Sequence, residues 1–310
     1  MRVEFTAGLD DHDRRIESVL RRLLPNQPLA AVHKALRTGD VRINGAKADA
    51  HTKVFQGDKV CVWEALLPQP GGPGPALSGA PGRSLPPEWV LFENKDWVVI
   101  NKPSGLLVHP GEARGKDQGE KPLDERVRAW LAGEPKTSLG FRPGPLHRLD
   151  RETSGIVVFS RSLIGARTFS SALANRKVTK GYLAVLTGHL EAPREINDSL
   201  VRDDRTRTTR SGAGIDAVTT FVPLAWAPGL TCAAVDLGTG RTHQIRTHAQ
   251  TAGHPLAGDR KYGGGSPPIG LGVPWFLHAW KLSCEFFPEI TAPLEPAQAL
   301  WIKKTFKFVP

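Results

Sequence analysis

Cysteine is scarce in this 310-residue chain. The three present, Cys61, Cys232 and Cys284, lie far apart, and no Cys-x-x-Cys pair occurs. That spacing argues against a zinc knuckle or a dithiol redox centre, and the odd count fits a reducing compartment. Long hydrophobic runs are missing as well. Trp97-Val98-Val99-Ile100 is a typical apolar stretch and is far too short to span a bilayer. The opening MRVEFTAGLDDHDRR has no apolar centre, so it does not read as a secretory signal. A cytoplasmic protein without a membrane partner is the expectation. The common cofactor signatures are absent too: no Gly-x-x-x-x-Gly-Lys, no Gly-x-Gly-x-x-Gly after a strand, no His-Glu-x-x-His and no Gly-x-Ser-x-Gly. These absences weigh against NTPase, dehydrogenase, zinc-protease and serine-hydrolase chemistry, and neither a metal nor a nucleotide cofactor is expected.

Positive charge is in excess. Lys and Arg total 41 against 31 Asp and Glu, a net of +10, which suits a polyanionic partner such as nucleic acid. Residues 66–87, LLPQPGGPGPALSGAPGRSLPP, are too rich in Pro and Gly to pack and read as a linker. It divides the chain into a head, 1–65, and a body, 88–310.

The head reads as two helices and two strands. Asp13 is a candidate cap for a helix carrying Ile16, Val19, Leu20, Leu23 and Leu24 at helical spacing. Pro28 opens a second helix that closes at Gly39. Val41-Arg42-Ile43 alternates like a strand, Asn44-Gly45 is a strong hairpin signal, and Val60-Cys61-Val62 supplies the second strand. Arg21, Arg22, Lys34, Arg37 and Arg42 are candidates for one basic face. The body mixes buried strands (89–92, 97–100, 156–159, 182–186) with helices at 163–176 and 242–252, without a βαβ repeat. That pattern implies an α+β domain with a mostly antiparallel mixed sheet flanked by helices.

Three segments concentrate polar chemistry. In Pro145-Leu146-His147-Arg148-Leu149-Asp150-Arg151-Glu152-Thr153-Ser154-Gly155, an Asp precedes a buried strand with arginines close by. A carboxylate held ionised in that way is a competent nucleophile; the same residues also suit a structural turn with a surface ion pair. In Gly238-Thr239-Gly240-Arg241-Thr242-His243-Gln244-Ile245-Arg246, close glycines permit backbone approach to a ligand, and Arg246 could pair with a buried carboxylate such as Asp150 through a two-pronged contact. In Lys180-Gly181-Tyr182, one of only two tyrosines in the chain opens a strand.

HRLDRETSG, KGYLAVLTG and GRTHQIRTHAQTAGHPLAGDRKYGG resemble three signature blocks of the RluA-type RNA pseudouridine synthases, in family order. VINKPSGLLVHP and FLHAWKLSCEFF resemble two more, so the likeness runs over most of residues 89–288. LRTGDVRINGAK and GDKV make the head similar to an S4 RNA-binding domain, although Leu29-Ala30 stands where many such domains place polar or basic residues.

The resemblance implies Asp150 as the catalytic aspartate and Arg246 as its partner. It implies Tyr182 as the residue packing on the base and a candidate proton acceptor, and Arg148 as the residue filling the space of a flipped base. Arg241, His243 and Gln244 would shape the cleft and touch phosphates. Arg22, Lys34, Arg37 and Arg42 would bind RNA from the head. The implied substrate is ribosomal RNA of the large subunit, with transfer RNA as the alternative, acted on by a monomer without a cofactor. A non-catalytic RNA-binding assembly factor and a base- or sugar-cleaving glycosidase are the rival readings; the latter usually needs a second carboxylate.

Overall fold

The computed structural model describes residues 1–67, 85–110, 120–132, 138–203, 208–212 and 214–308. Of the Pro/Gly-rich stretch 66–87, residues 68–84 therefore lie outside the described residues, as do residues 111–119.

In the head, β1 (Arg2–Thr6) and β2 (Arg14–Arg15) precede α1 (Ile16–Leu23) and α2 (Leu29–Thr38), which are followed by β3 (Val41–Ile43), β4 (Ala46–Lys47), β5 (Lys53–Val54) and β6 (Lys59–Trp63). Four of these strands form one sheet in the order β1-β6-β3-β4, and β2 pairs with β5. Ile16, Val19, Leu20 and Leu24 from the first helix meet Val32, Ala35 and Leu36 from the second over the strand residues Val41, Val60 and Val62. The turn at Asn44-Gly45 has both residues at positive φ, 49° and 81°, as an Asn-Gly hairpin requires. Gly39 ends α2 in the left-handed conformation.

Two expectations for the head change. The first strand, β1, was not anticipated; it pairs antiparallel along the whole of β6. Asp13 does not cap α1. Arg15 is the residue at the cap position, while Asp13 sits at φ 59° and pairs with Lys53. The intervening pair of residues joins β5 and shifts the helix start downstream.

The body continues with β7 (Val90–Glu93), β8 (Trp97–Lys102), α3 (Leu123–Leu131), β9 (Gly144–Pro145), β10 (Ser154–Ser160), α4 (Leu163–Ala174), β11 (Thr179–Thr187), β12 (Arg194–Asp203), β13 (Thr208–Ser211), β14 (Ile215–Ala227), β15 (Leu230–Leu237), α5 (Gln244–Thr251), β16 (Leu277–Cys284), β17 (Phe287–Thr291) and α6 (Pro296–Phe306). Nine strands run β13-β12-β14-β15-β11-β16-β10-β8-β7, with β17 on β16 and β9 on β10, making an eleven-stranded sheet. All pairings are antiparallel except β10 with β16. At that parallel contact Gly155 has φ 105°, and a Cβ there would lie 2.2 Å from the Ala279 carbonyl oxygen. Only glycine fits, so the strand following Asp150 enters the middle of the sheet. The α+β class with a mostly antiparallel mixed sheet is what the structure has. β7 is half-buried rather than buried and begins at Val90; Trp89, expected to open the strand, belongs to a 3-10 turn.

Head and body touch through two buried aspartates. Asp11 is fully buried and accepts from Ser138 Oγ (2.7 Å), Leu139 N–H (2.7 Å) and Gly140 N–H (3.3 Å). Asp10 accepts from the backbone N–H groups of Leu163 and Ile164 at the start of α4, where the helix dipole favours an anion. No helix among the described residues is long and apolar enough to cross a membrane.

Candidate active site

Asp150 lies in the turn between β9 and β10, and that turn is tied down from beneath. Lys102, at the end of β8, is fully buried. Its Nζ donates to the carbonyls of Pro103 (2.9 Å), Leu106 (2.8 Å) and Arg151 (2.9 Å). Three acceptors match the three N–H bonds of an ammonium. Burial pushes Lys102 down to about 7, opposed by Glu152, Asp150 and Glu295. The Ser104 hydroxyl donates to the Glu152 carbonyl, and Gly105 and Arg151 exchange bonds at 3.0 and 2.9 Å. His147 acts as a strut: its Nε2 accepts from Val158 N–H at 3.1 Å and its ring stacks on Phe169. Burial pushes that imidazole down to about 3, with Lys180 adding to the effect, so it is neutral.

Arg246 projects from α5. Its Nη1 donates to Asp150 Oδ2 at 3.2 Å. The expected two-pronged contact exists, but its partner is Asp259: Nε–Oδ2 is 2.6 Å and Nη2–Oδ1 is 2.9 Å. The guanidinium also stacks over the rings of Tyr262 and Trp275 at 4.7 and 4.4 Å. Burial opposes its charge, yet the bonds and charges of Asp259 and Asp150 prevail and its pKa is raised. Arg246 is thus a fixed cation, oriented by Asp259 and presented to Asp150.

The cleft over Asp150 is about 530 Å³ and is lined by Arg148, Arg176, Lys180, Tyr182, Arg241, His243 and Arg246, among others. Among its described lining residues, Asp150 is the one carboxylate. Burial, then the Arg241 charge, lowers the pKa of Lys180. A Cβ at Gly240 would lie 2.6 Å from its Nζ, so glycine there makes room for the lysine. Tyr182 is buried; that burial, and then the charge of Asp150, push its phenol above the usual range. It is held as a neutral phenol, which fits packing and proton donation better than proton abstraction.

The other expected residues divide. Arg148 and Arg241 are exposed at the cleft mouth. His243 sits beside Asp150, Nε2 to Oδ2 3.8 Å. Gln244 does not face a phosphate: its Oε1 accepts from Thr239 Oγ1 and Arg241 N–H, and its Nε2 donates to Val218 O and Thr219 Oγ1. With all those positions filled inside the protein, it braces the 238–241 turn. In the head, Arg22, Lys34 and Arg37 are exposed, whereas Arg42 donates to the Gly39 and Gly45 carbonyls of its own hairpin.

Lys102, Lys180, Asp259 and Tyr262 were not singled out from sequence as site residues. All four lie inside the motif blocks quoted above, so proximity to the motif was the one signal in the sequence. Their roles depend on which atoms meet across the sheet.

Comparison with known proteins bears on the chemistry of this cleft. The RNA pseudouridylate synthase family matches residues 96–251, which contain Asp150, Tyr182 and Arg246. The chain is 34% identical over 253 residues to ribosomal large subunit pseudouridine synthase D of Xylella fastidiosa, covering 81% of this chain and 72% of that one. It is 31% identical to ribosomal large subunit pseudouridine synthase C of Vibrio cholerae, covering 91% and 90%. Among solved structures, human RNA pseudouridylate synthase domain containing 1 superposes with a TM-score of 0.52 at 25% identity, over 67% of this chain and 83% of that one. The human domain containing 4 protein gives 0.55 at 21% identity, over 69% and 92%, a likeness of fold. With residues 96–251 matched and relatives at 31–34% identity along most of its length, the chain belongs to the RNA pseudouridylate synthase family.

Proposed function

We propose that this enzyme converts specific uridines of large-subunit ribosomal RNA to pseudouridine, with Asp150 as the reacting carboxylate. The observation that carries the proposal is Asp150 itself, 21% exposed in a basic cleft and held by Arg246 at 3.2 Å. The names of its ribosomal relatives favour ribosomal RNA as substrate; transfer RNA is the second choice.

The reaction breaks the bond from ribose C1′ to uracil N1 and joins C1′ to C5. The C5 proton leaves and N1 regains one, so the sum is an isomerisation that needs no oxidant or energy source. The uridine must first leave its stack, at a cost of a few kcal/mol that is lowest in a loop. Arg148, at the cleft mouth, would fill the vacated space. Lys180, Arg176 and Arg241 would receive phosphates, and Tyr182 would pack on the base. Asp150 would act by attack at C1′, attack at C6, or removal of the ribose 2′ proton; a carboxylate oriented by Arg246 serves all three. Because Tyr182 is held neutral, the C5 proton would leave to a group other than a preformed phenolate.

The head, residues 1–65, would act as an S4-like RNA-binding domain, with Arg22, Lys34 and Arg37 available to phosphates. The linker would be 66–87 and the catalytic domain 88–310. A cytoplasmic monomer is the proposed working form. The test is pseudouridine mapping on total RNA from cells lacking the gene, rescued by wild type or by Asp150→Asn. Loss of particular ribosomal sites, restored by wild type alone, supports the proposal. Loss confined to transfer RNA would move the substrate, and restoration by Asp150→Asn would remove the role of Asp150.

A further inference from the structure

We infer that His243 is a positioning residue for Asp150 and that Tyr262 fixes the tautomer in which it works. The inference rests on the reading of Asp150 as the reacting carboxylate.

His243 occupies the cap position of α5 in the left-handed region, φ 55° and ψ 18°. A non-glycine residue held there is strained, and the surrounding bonds show what holds it. Its Nδ1 is 2.8 Å from Tyr262 Oη, and its Nε2 is 3.8 Å from Asp150 Oδ2. The Tyr262 ring is buried, and its Oη already accepts from Thr209 N–H at 2.9 Å in β13.

A phenol has one proton to give. With an N–H already pointing at its oxygen, the hydroxyl satisfies itself best by donating to His243 Nδ1. Nδ1 is then an acceptor, and the ring proton of the neutral imidazole resides on Nε2, facing the carboxylate. The opposite tautomer would direct a lone pair at Asp150 Oδ2, which is repulsive. Hydrogen bonds therefore run from Thr209 N–H to Tyr262 Oη and from Tyr262 O–H to His243 Nδ1, and the Nε2–H faces Asp150 Oδ2 across 3.8 Å, a charge–dipole contact longer than a hydrogen bond.

The charged groups around His243 are Asp150, which favours its protonation, and Arg246, Lys261 and Arg202, which oppose it. Burial works in the same direction as the cations and pushes the ring down to about 4, so it stays neutral at physiological pH. Oδ2 of Asp150 thus faces Arg246 Nη1 on one side and His243 on the other. Oδ2 is engaged by both, Arg246 through a hydrogen bond and His243 through the longer contact, which leaves Oδ1 for the substrate. His243 acts through Asp150, and Tyr262 acts one bond further back.

The test uses the full chain labelled with 15N-histidine. His243 is assigned by comparison with His243→Phe. The expected wild-type spectrum at pH 7 shows a protonated Nε2 and an acceptor Nδ1, and Tyr262→Phe mixes the tautomers. Tyr262→Phe keeps the ring under Arg246 and removes only the hydroxyl. Its single-turnover rate at saturating enzyme should fall by roughly tenfold to a hundredfold, the scale of lost outer-shell partners, with RNA affinity unchanged. The double variant His243→Phe/Tyr262→Phe should react as slowly as His243→Phe alone, because the tyrosine acts through the histidine. His243→Gln, which keeps a donor, should recover part of the rate. A wild-type spectrum with the proton on Nδ1, or a double variant slowed by the product of both effects, would overturn the inference. Turnover by Asp150→Asn strikes instead at the underlying reading and leaves the tautomer spectrum untouched, so the two failures are distinguishable.

Discussion

Arg246 grips Asp259 with two parallel hydrogen bonds, 2.6 and 2.9 Å, and both side chains are almost completely buried. The bond from Arg246 to Asp150, at 3.2 Å, is the single and longer one. The arginine is thus anchored by an acid outside the chemistry and lent to the acid within it. Replacing Asp259 by Asn should leave Arg246 turning between two weaker partners. Breaking a buried pair costs about 3–5 kcal/mol, so urea denaturation should show a loss of that order and turnover should fall with it. Wild-type stability in Asp259→Asn would contradict the anchoring role.

Asp150→Asn keeps the shape of the side chain and removes its charge. Turnover should fall by roughly 10⁴-fold or more, as for groups that act as a unit with their partners, while RNA affinity changes little. A single-turnover assay with a filter-binding control reads both; near-normal turnover would return the chain to the rival binding-factor reading.

Lys102 supports the turn that carries Asp150 from a site without solvent access. Lys102→Met removes three donors and leaves the Pro103 and Leu106 carbonyls unmatched, at roughly 1–3 kcal/mol each when buried, while the Arg151 carbonyl keeps Gly105 N–H. The variant should be markedly less stable. Where it folds, kcat should fall more than KM changes, because the turn moves but the cleft mouth does not. An unchanged melting midpoint would mean the carbonyls have other partners.

Acid should destabilise the fold through buried histidines. His147 is pushed down to about 3 and His278 to about 4, both chiefly by burial, from an ordinary value of 6.5. The unfolded chain binds more protons than the native one between those values, so stability rises with pH there. The contribution is complete above pH 6.5 and is lost as pH falls toward 4, at about 1.4 kcal/mol per pH unit for each histidine. Urea midpoints from pH 4.5 to 7.5 measure the slope. His147→Gln should remove one histidine's share, and an unaltered slope would show that His147 is not the neutral strut described.

Asp11→Ala tests the contact between head and body. It strands the Ser138 hydroxyl proton and the Leu139 N–H, while Gly140 N–H keeps Ser138 Oγ at 3.1 Å. Hydrogen exchange at 138–140 should accelerate, while activity on a short RNA stem-loop persists. Unchanged exchange would mean those donors find partners elsewhere.

The elements with a local cause were legible in the residues alone. Asn44-Gly45 has few choices but a tight hairpin. Ile16, Val19 and Leu20 repeat at helical spacing, and runs such as Ile156–Phe159 can be buried only as strands in a sheet this apolar. The motif residues Asp150, Tyr182 and Arg246 were legible too, because their blocks are compact in the chain. The tertiary structure decided what those residues meet. Asp259 stands 13 positions from Arg246, and nothing in that spacing says it takes the two-pronged bond ahead of Asp150. Gln244 looks like a cleft donor until the 238–241 turn and β14 occupy its whole amide. Tyr182 looks like a base until burial beside Asp150 raises its phenol. Each of these outcomes depends on desolvation and on pairing between segments distant in sequence, and neither is fixed until the sheet has closed around the site.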